Sequence, residues 1–233
     1  YHSSGTCTFY GTANTNQLIA EAMGFQLPGA AFTPTESPVR EYLKKESLEA
    51  LTRLIDAEIG LGEMLDIKNW MNALIVLLAS GGSTNLVIHL IAMARSAGYI
   101  LTIEDFNDLS CIIPLLCQVY PNGTADVNEF HSEGGIARLL SNLMEGDLIY
   151  NDIETVAGFG LESYTKIPYI DDVNAKNLKW KNLDQKQNIK SISTIDNPFK
   201  SNGGIKFIGG DIAEGVIKVS ALKDENEIIV APA

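Results

Sequence analysis

Three stretches of this 233-residue chain carry side chains that could do chemistry. Cys7 sits in the loop Gly5-Thr6-Cys7-Thr8-Phe9-Tyr10-Gly11, just ahead of an expected helix. Backbone N–H groups and the positive end of a helix dipole stabilise a thiolate in such a place. Residue chemistry leaves a nucleophile, an iron–sulfur ligand and an inert buried thiol open. A nucleophile needs a histidine partner, and a cluster needs further cysteines. In the second stretch, Gly81-Gly82-Ser83-Thr84-Asn85, the glycines permit a sharp turn. Ser83, Thr84 and the free N–H groups of the following helix then point at one spot suited to a phosphate or carboxylate. A tight turn with a capping hydroxyl fits the same residues, and the lysine and spacing of a P-loop are absent. In the third stretch, Asp126, Glu129, His131 and Glu133 crowd together ahead of Gly134-Gly135. Metal binding and a solvated acidic loop both fit them.

The other reactive side chains read as structural. His89 lies inside an apolar helix and is expected to be a hydrogen-bonded core histidine, while His2 is simply terminal. Cys111 and Cys117 flank Ile112-Ile113-Pro114-Leu115-Leu116 and read as core thiols. Three cysteines, none in C-x-x-C spacing, exclude a zinc knuckle and argue against a disulfide framework. A reducing, cytoplasmic compartment is the expectation.

Several elements must position these groups. Leu18, Ile19, Ala22 and Met23 recur at helical spacing, with Gly24 as the left-handed residue past the helix end. Ser37-Pro38 starts an amphipathic helix of about six turns that Gly60 and Gly62 end. Asp66 caps a third helix, nearly all apolar over Trp70–Ala79, and a fourth runs from the Gly81–Asn85 turn to Gly98. With no polar face on either, both are expected to be buried and packed together. Thr102-Ile103-Glu104-Asp105 resembles a capping box, and Ile136, Leu139, Leu140 and Leu143 form one face of a further helix. From about Tyr169 to Pro198 the chain is polar and reads as a linker. Ile205–Ile208, Val216–Val219 and Ile228–Val230 read as short strands. The expectation is an α+β chain: residues 1–168 mostly helical, a linker over 169–198, and the start of a β-domain over 199–233. Three strands cannot close a barrel, so a piece of a longer protein is expected.

Bulk composition excludes several function classes. With 17 Lys+Arg against 29 Asp+Glu the net charge is −12, which leaves no dense positive surface for nucleic acid. No apolar run reaches the ~18 residues of a spanning helix. Tyr1-His2-Ser3-Ser4-Gly5 shows no signal-peptide pattern, so neither membrane nor secretion is expected.

Gly5 through Gln17, the Gly81–Asn85 turn followed by His89-Leu90, and Pro121-Asn122-Gly123-Thr124-Ala125-Asp126-Val127-Asn128 through Gly134-Gly135 together resemble the dihydroxy-acid/phosphogluconate dehydratase family. Thr155-Val156-Ala157-Gly158-Phe159-Gly160-Leu161 and Gly203-Gly204-Ile205 continue the order. Phe9-Tyr10-Gly11 and the Pro121–Asp126 segment resemble the phosphogluconate branch. The resemblance covers essentially the whole chain. It implies the end of an α/β N-terminal domain followed by the first strands of a C-terminal β-domain.

Several functional expectations follow from the resemblance. It implies a hydro-lyase that uses an iron–sulfur cluster, 4Fe-4S or 2Fe-2S, held by three cysteines, with Cys7 as the last of them. A divalent cation such as Mg is compatible with it. The implied substrate is a small sugar-acid phosphate, 6-phosphogluconate, giving the 2-keto-3-deoxy product of the Entner–Doudoroff pathway. Ser83, Thr84 and Asn85 would contact that substrate. The other cluster cysteines would precede Tyr1, and the catalytic base would follow Ala233. The full-length protein would be a homodimer, and the isolated chain inactive. A dihydroxy-acid or other sugar-acid dehydratase, or a non-catalytic remnant, is the alternative.

Overall fold

A computed structural model describes residues 7–171, 177–184 and 189–222. Among them, helices fill the first part: α1 (Thr12–Ala22), α2 (Pro38–Asp56), α3 (Leu61–Met64), α4 (Ile67–Ser80), α5 (Asn85–Ser96), α6 (Ile103–Ile112), α7 (Val127–Ser132) and α8 (Gly135–Glu145). Short strands follow: β1 (Glu154–Thr155), β2 (Gly158–Phe159), β3 (Lys166–Ile170), β4 (Leu178–Asn182), β5 (Lys206–Ile208) and β6 (Gly215–Ile217). They pair as three separate antiparallel hairpins, β1–β2, β3–β4 and β5–β6. The third expected strand, Ile228–Val230, lies outside the described residues. No helix among the described residues is long and apolar enough to cross a membrane.

Local chemistry sets most helix starts. Ser37 accepts from the Val39 N–H ahead of Pro38. Asp66 caps α4 while Asn69 reaches back to the Asp66 N–H at 2.8 Å. Thr102 and Asp105 cap α6 reciprocally. Gly24, at φ +80°, follows the end of α1, and a Cβ there would meet Thr155 Cγ2 at 2.6 Å. Helix α4 is the centre of the core: Ala73 through Ala79 are buried on every side, in one cluster with Leu18 and Met23 of the α1 region, Leu90 of α5 and Phe106 of α6.

Four expectations need correction. Helix α5 is not buried all round. Leu86, Val87, Leu90 and Ala94 face inward, but Ile88 is 71% exposed and Met93 46%. His89 shares that outer face and is exposed, so it is no core histidine. Apolar composition permits burial, but only a neighbouring element supplies it. Cys111 is likewise exposed while Cys117 is buried, because they lie on either side of the bend that ends α6. Helix α2 stops at Asp56 rather than at Gly60 and Gly62, the second of which lies inside α3, and its Leu43 and Ala50 are buried while Leu51 and Ile55 are exposed.

The described parts of the polar stretch 169–198 are more structured than their composition suggests. β4 pairs with β3 in the register Pro168↔Trp180, and Trp180 Nε1 donates to the Pro28 carbonyl at 3.0 Å. Leu178 and Trp180 pack on a small satellite core of Leu27, Leu43 and Ala50. Further along, Ile192 is buried and bridges to Cys117. Leu178-Lys179-Trp180-Lys181 alternates as a half-buried strand does.

Candidate active site

The loop that carries Cys7 is held by hydrogen bonds and by the buried ring of Tyr10. Asn14, in the first turn of α1, donates through Nδ2 to the carbonyls of Cys7 (2.8 Å) and Phe9 (2.7 Å). The Val127 N–H donates to the Thr8 carbonyl, and the Tyr10 N–H to that of Tyr120. Tyr10 donates its hydroxyl to Ser80 Oγ at 2.8 Å, and burial raises its pKa. The backbone around Cys7 is therefore tied to α1, α4, α7 and the Tyr120–Ala125 segment, while its thiol is exposed.

The Gly81–Asn85 turn joins the same assembly. Gly81 closes α4 in the left-handed conformation, and a Cβ there would meet Asn122 Nδ2 at 2.6 Å. Asn122 Nδ2 donates to the Gly81 carbonyl at 2.8 Å, and Ser220 Oγ donates to Asn122 Oδ1 at 3.1 Å. The Gly204 N–H donates to the Leu78 carbonyl, and a Cβ on Gly204 would lie 2.6 Å from Gly81 Cα. Four stretches distant in sequence thus close on one junction, where glycines permit backbone contact. Beside it, the hydroxyls of Ser83 and Thr12 share a hydrogen bond of 2.9 Å. Asn85 Nδ2 also donates to Thr12 Oγ1, and the Ser83 N–H donates to Thr15 Oγ1. The N-termini of α1 and α5 therefore lie side by side, with Thr84 capping nothing through its side chain. Two helix N-termini with hydroxyl and amide donors favour negative charge.

Cys7 opens onto a cleft of about 470 Å³ between α1 and α2, lined also by Asn14, Gln17, Thr35, Arg40 and Lys44. Ser83, Thr84 and Asn85 are not part of its lining. They meet α1 at Thr12, whereas the cleft begins at Ala13 and Asn14. Arg40 donates to the Thr33 carbonyl, and its Nε is buried without a hydrogen-bond partner. Behind it lies Glu21, fully buried, which accepts from the N–H groups of Gly29 (2.7 Å) and Ala31 (2.8 Å). Burial raises the Glu21 pKa to about 7 against these hydrogen bonds and the Arg40 charge. His131 shares a small cavity with Glu21, and its pKa is lowered by burial and by Arg40.

Glu21 and Arg40 escape a reading based on motifs. Their signals are faint: a carboxylate amid the apolar Leu18–Met23 face, and an arginine three residues past the Ser37 cap. The acidic residues after Asn122 are engaged in backbone hydrogen bonding. Asp126 accepts from the N–H groups of Asn128 and Glu129. Glu129 reaches back to the Asp126 N–H, and Glu133 accepts from those of Lys190 and Ser191. Among the described residues no group of three or more His, Cys, Asp or Glu could hold a metal ion.

An iron–sulfur cluster needs accessible thiolates, and the three cysteines differ sharply in that respect. Exposed Cys7, at the cleft mouth, fits one ligand position. Cys117 is buried and burial pushes its pKa up, which disfavours the thiolate. Exposed Cys111 lies on α6, with Lys206 Nζ at 3.9 Å, and neither it nor Cys117 lines the cleft.

Comparison with known proteins gives a consistent pattern. The family model described as dihydroxy-acid/6-phosphogluconate dehydratase N-terminal matches residues 1–164. The phosphogluconate dehydratase of Escherichia coli (strain K12) is 43% identical over all of this chain and 39% of its own length. That of Rhizobium meliloti is 44% identical, again over 39% of its length. A dihydroxy-acid dehydratase of Sulfurisphaera tokodaii is 37% identical over 94% of the chain and 37% of its own length. The chain thus spans about two fifths of the length of the curated relatives it matches.

Proposed function

From the premise that the chain belongs to the dihydroxy-acid/6-phosphogluconate dehydratase family, we propose that it forms part of a hydro-lyase acting on 6-phosphogluconate. Water is eliminated to give 2-keto-3-deoxy-6-phosphogluconate. The observation that carries this reading is the junction at the C-terminal end of α4, with the first turn of α1 beside it. There the Cys7 loop, the Gly81–Asn85 turn, Asn122 and the Gly204–Ser220 segment close on one another. The likeness to phosphogluconate dehydratases over the whole chain supports the substrate assignment.

In this reading residues 1–168 end the N-terminal dehydratase domain and residues 199–233 begin a C-terminal β-domain. The family match to residues 1–164 supports that division. Cys7 presents one thiolate ligand to an iron–sulfur cluster, and Asn14 fixes its backbone. When bound, such a cluster supplies Lewis acidity toward a substrate hydroxyl. Thr84 and exposed Asn85, with Ser83 holding α5 against α1, offer donors to the substrate's acid group. The paired helix N-termini favour that negative charge.

A chain offering one thiolate to that site has no turnover alone. The test is an assay of the 233-residue chain, and of the longer protein that contains it, after anaerobic iron and sulfide treatment. Keto acid from 6-phosphogluconate in the longer protein alone is expected. Turnover by the isolated chain overturns the partial-site reading. Preference of the longer protein for a branched dihydroxy acid overturns the substrate assignment.

A further inference from the structure

The cleft beside Cys7 differs in charge from the chain as a whole. Its charged lining is Arg40 and Lys44, with no carboxylate among the lining residues, in a chain of net charge −12. Arg40 comes preset. Thr33 accepts from one terminal nitrogen, and the Glu21 carboxyl lies behind the guanidinium. Its buried Nε has no hydrogen-bond partner. With Nε closed to solvent, the guanidinium meets an anion in the cleft through its terminal nitrogens. Lys44 pairs with Glu41 across the surface at 2.6 Å, but both side chains are more than half exposed. Such a pair is worth little and yields readily to a multiply charged ligand. Asn14, Gln17 and Thr35 add polar groups to the wall.

We infer that this cleft is an anion subsite in which Arg40 and Lys44 receive the phosphate of a phosphorylated sugar acid. The inference rests on the proposed substrate, and it assigns the two ends of that substrate to different places. The carboxylate end meets Thr84 and Asn85 on the α5 side of the first turn of α1, and the phosphate end meets Arg40 and Lys44 on the α2 side. Arginine suits the task because its planar fork binds phosphate oxygens in pairs, and lysine adds a mobile point charge. The subsite therefore separates phosphorylated sugar acids from unphosphorylated ones. Arg40 and Lys44 are specificity-determining residues in this assignment.

Two measurements test it. In the first, inorganic phosphate is titrated into the 233-residue chain at constant ionic strength, and the Arg40 Nε–H resonance is followed by NMR. A saturable shift is expected, weakened about tenfold or more in Lys44→Met. No shift in the parent chain overturns the subsite. In the second, the longer protein is assayed with 6-phosphogluconate and with gluconate. Arg40→Met and Lys44→Met should each raise KM for 6-phosphogluconate about tenfold or more, with kcat and the cluster absorption nearly unchanged. Gluconate parameters should move less than twofold, and Arg40→Lys should restore part of the loss. Because Arg40 also faces buried Glu21, exposed Lys44→Met serves as the variant that leaves the fold intact. A phosphate shift without any dehydration of 6-phosphogluconate overturns the proposed reaction and keeps the subsite. Dehydration of 6-phosphogluconate with KM unmoved in both variants does the reverse.

Discussion

Helices α4 and α5 are joined by the four residues Gly81–Thr84 and are alike in apolar content, yet they have opposite fates. Ala73 through Ala79 of α4 are closed in by α1, α5 and α6, and by the backbones of Leu116 and Gly204. α5 has a floor but no roof: Leu86, Val87, Leu90 and Ala94 rest on the core, and Ile88, His89 and Met93 face outward. The free energy of an apolar side chain comes from area removed from water, so identical residues contribute very different amounts in the two helices. The turn between them is where the candidate site assembles. Its rigid side belongs to α4 and its open side to α5.

The largest effect should come from breaking the junction under α4. In Gly204→Val the new Cβ would lie 2.6 Å from Gly81 Cα, a backbone atom that cannot rotate away. The expected loss is about 4 kcal/mol or more in urea unfolding of the chain. An unchanged midpoint would show that residues 203–204 do not pack against the turn. Leu77→Ala, at a fully buried α4 position, should cost about 3 kcal/mol.

A charge effect of similar size should appear beneath α1. The Glu21 pKa is raised from 4.5 to about 7. Between these values the folded chain holds a proton that the unfolded chain has released. Stability is therefore full below about pH 4.5, falls as pH rises toward 7, and then levels, by up to about 3 kcal/mol. Unfolding of Glu21→Gln across this range should show a flatter profile. If the parent and variant slopes agree, another group is responsible.

Smaller effects sharpen the contrast between buried and exposed positions. Cys117→Ala should cost about 1 kcal/mol, since a small buried side chain is trimmed. Exposed Cys111→Ala, Cys7→Ser and Ile88→Ala should each stay within about 0.5 kcal/mol. A cost for Ile88→Ala approaching that of Leu77→Ala would mean that the outer face of α5 is covered in solution. For the longer protein, Cys7→Ser should remove the visible cluster absorption while Cys117→Ala keeps it. The opposite pattern would move the ligand assignment to the other thiol.

Local signals in the sequence determined the helix starts at Pro38, Ile67 and Ile103, because a cap is satisfied by atoms within three residues of it. They also determined the left-handed Gly24, whereas the apolar runs of α4 and α5 permitted burial that only α4 received. The order of motifs around Cys7, Gly81–Asn85 and Asn122 pointed to the family. What those motifs do to one another was settled by the fold. The glycines of the Gly81 turn and of Gly203-Gly204 serve close backbone packing, a role that needs both partners in place. Exposure of His89, Cys111 and Ile88 depended on which elements lie beside them, and nothing within a few residues encodes that. The alternation of Leu178 and Trp180 with lysines marks a strand, but it is only four residues long within a polar stretch, and the partners Leu27 and Leu43 that cover it lie far back in the chain. Glu21 and Arg40 were hidden for the same reason. A carboxyl buried under the Gly29–Ala31 backbone and a guanidinium bordering the Cys7 cleft acquire their character only when α1 and α2 come together.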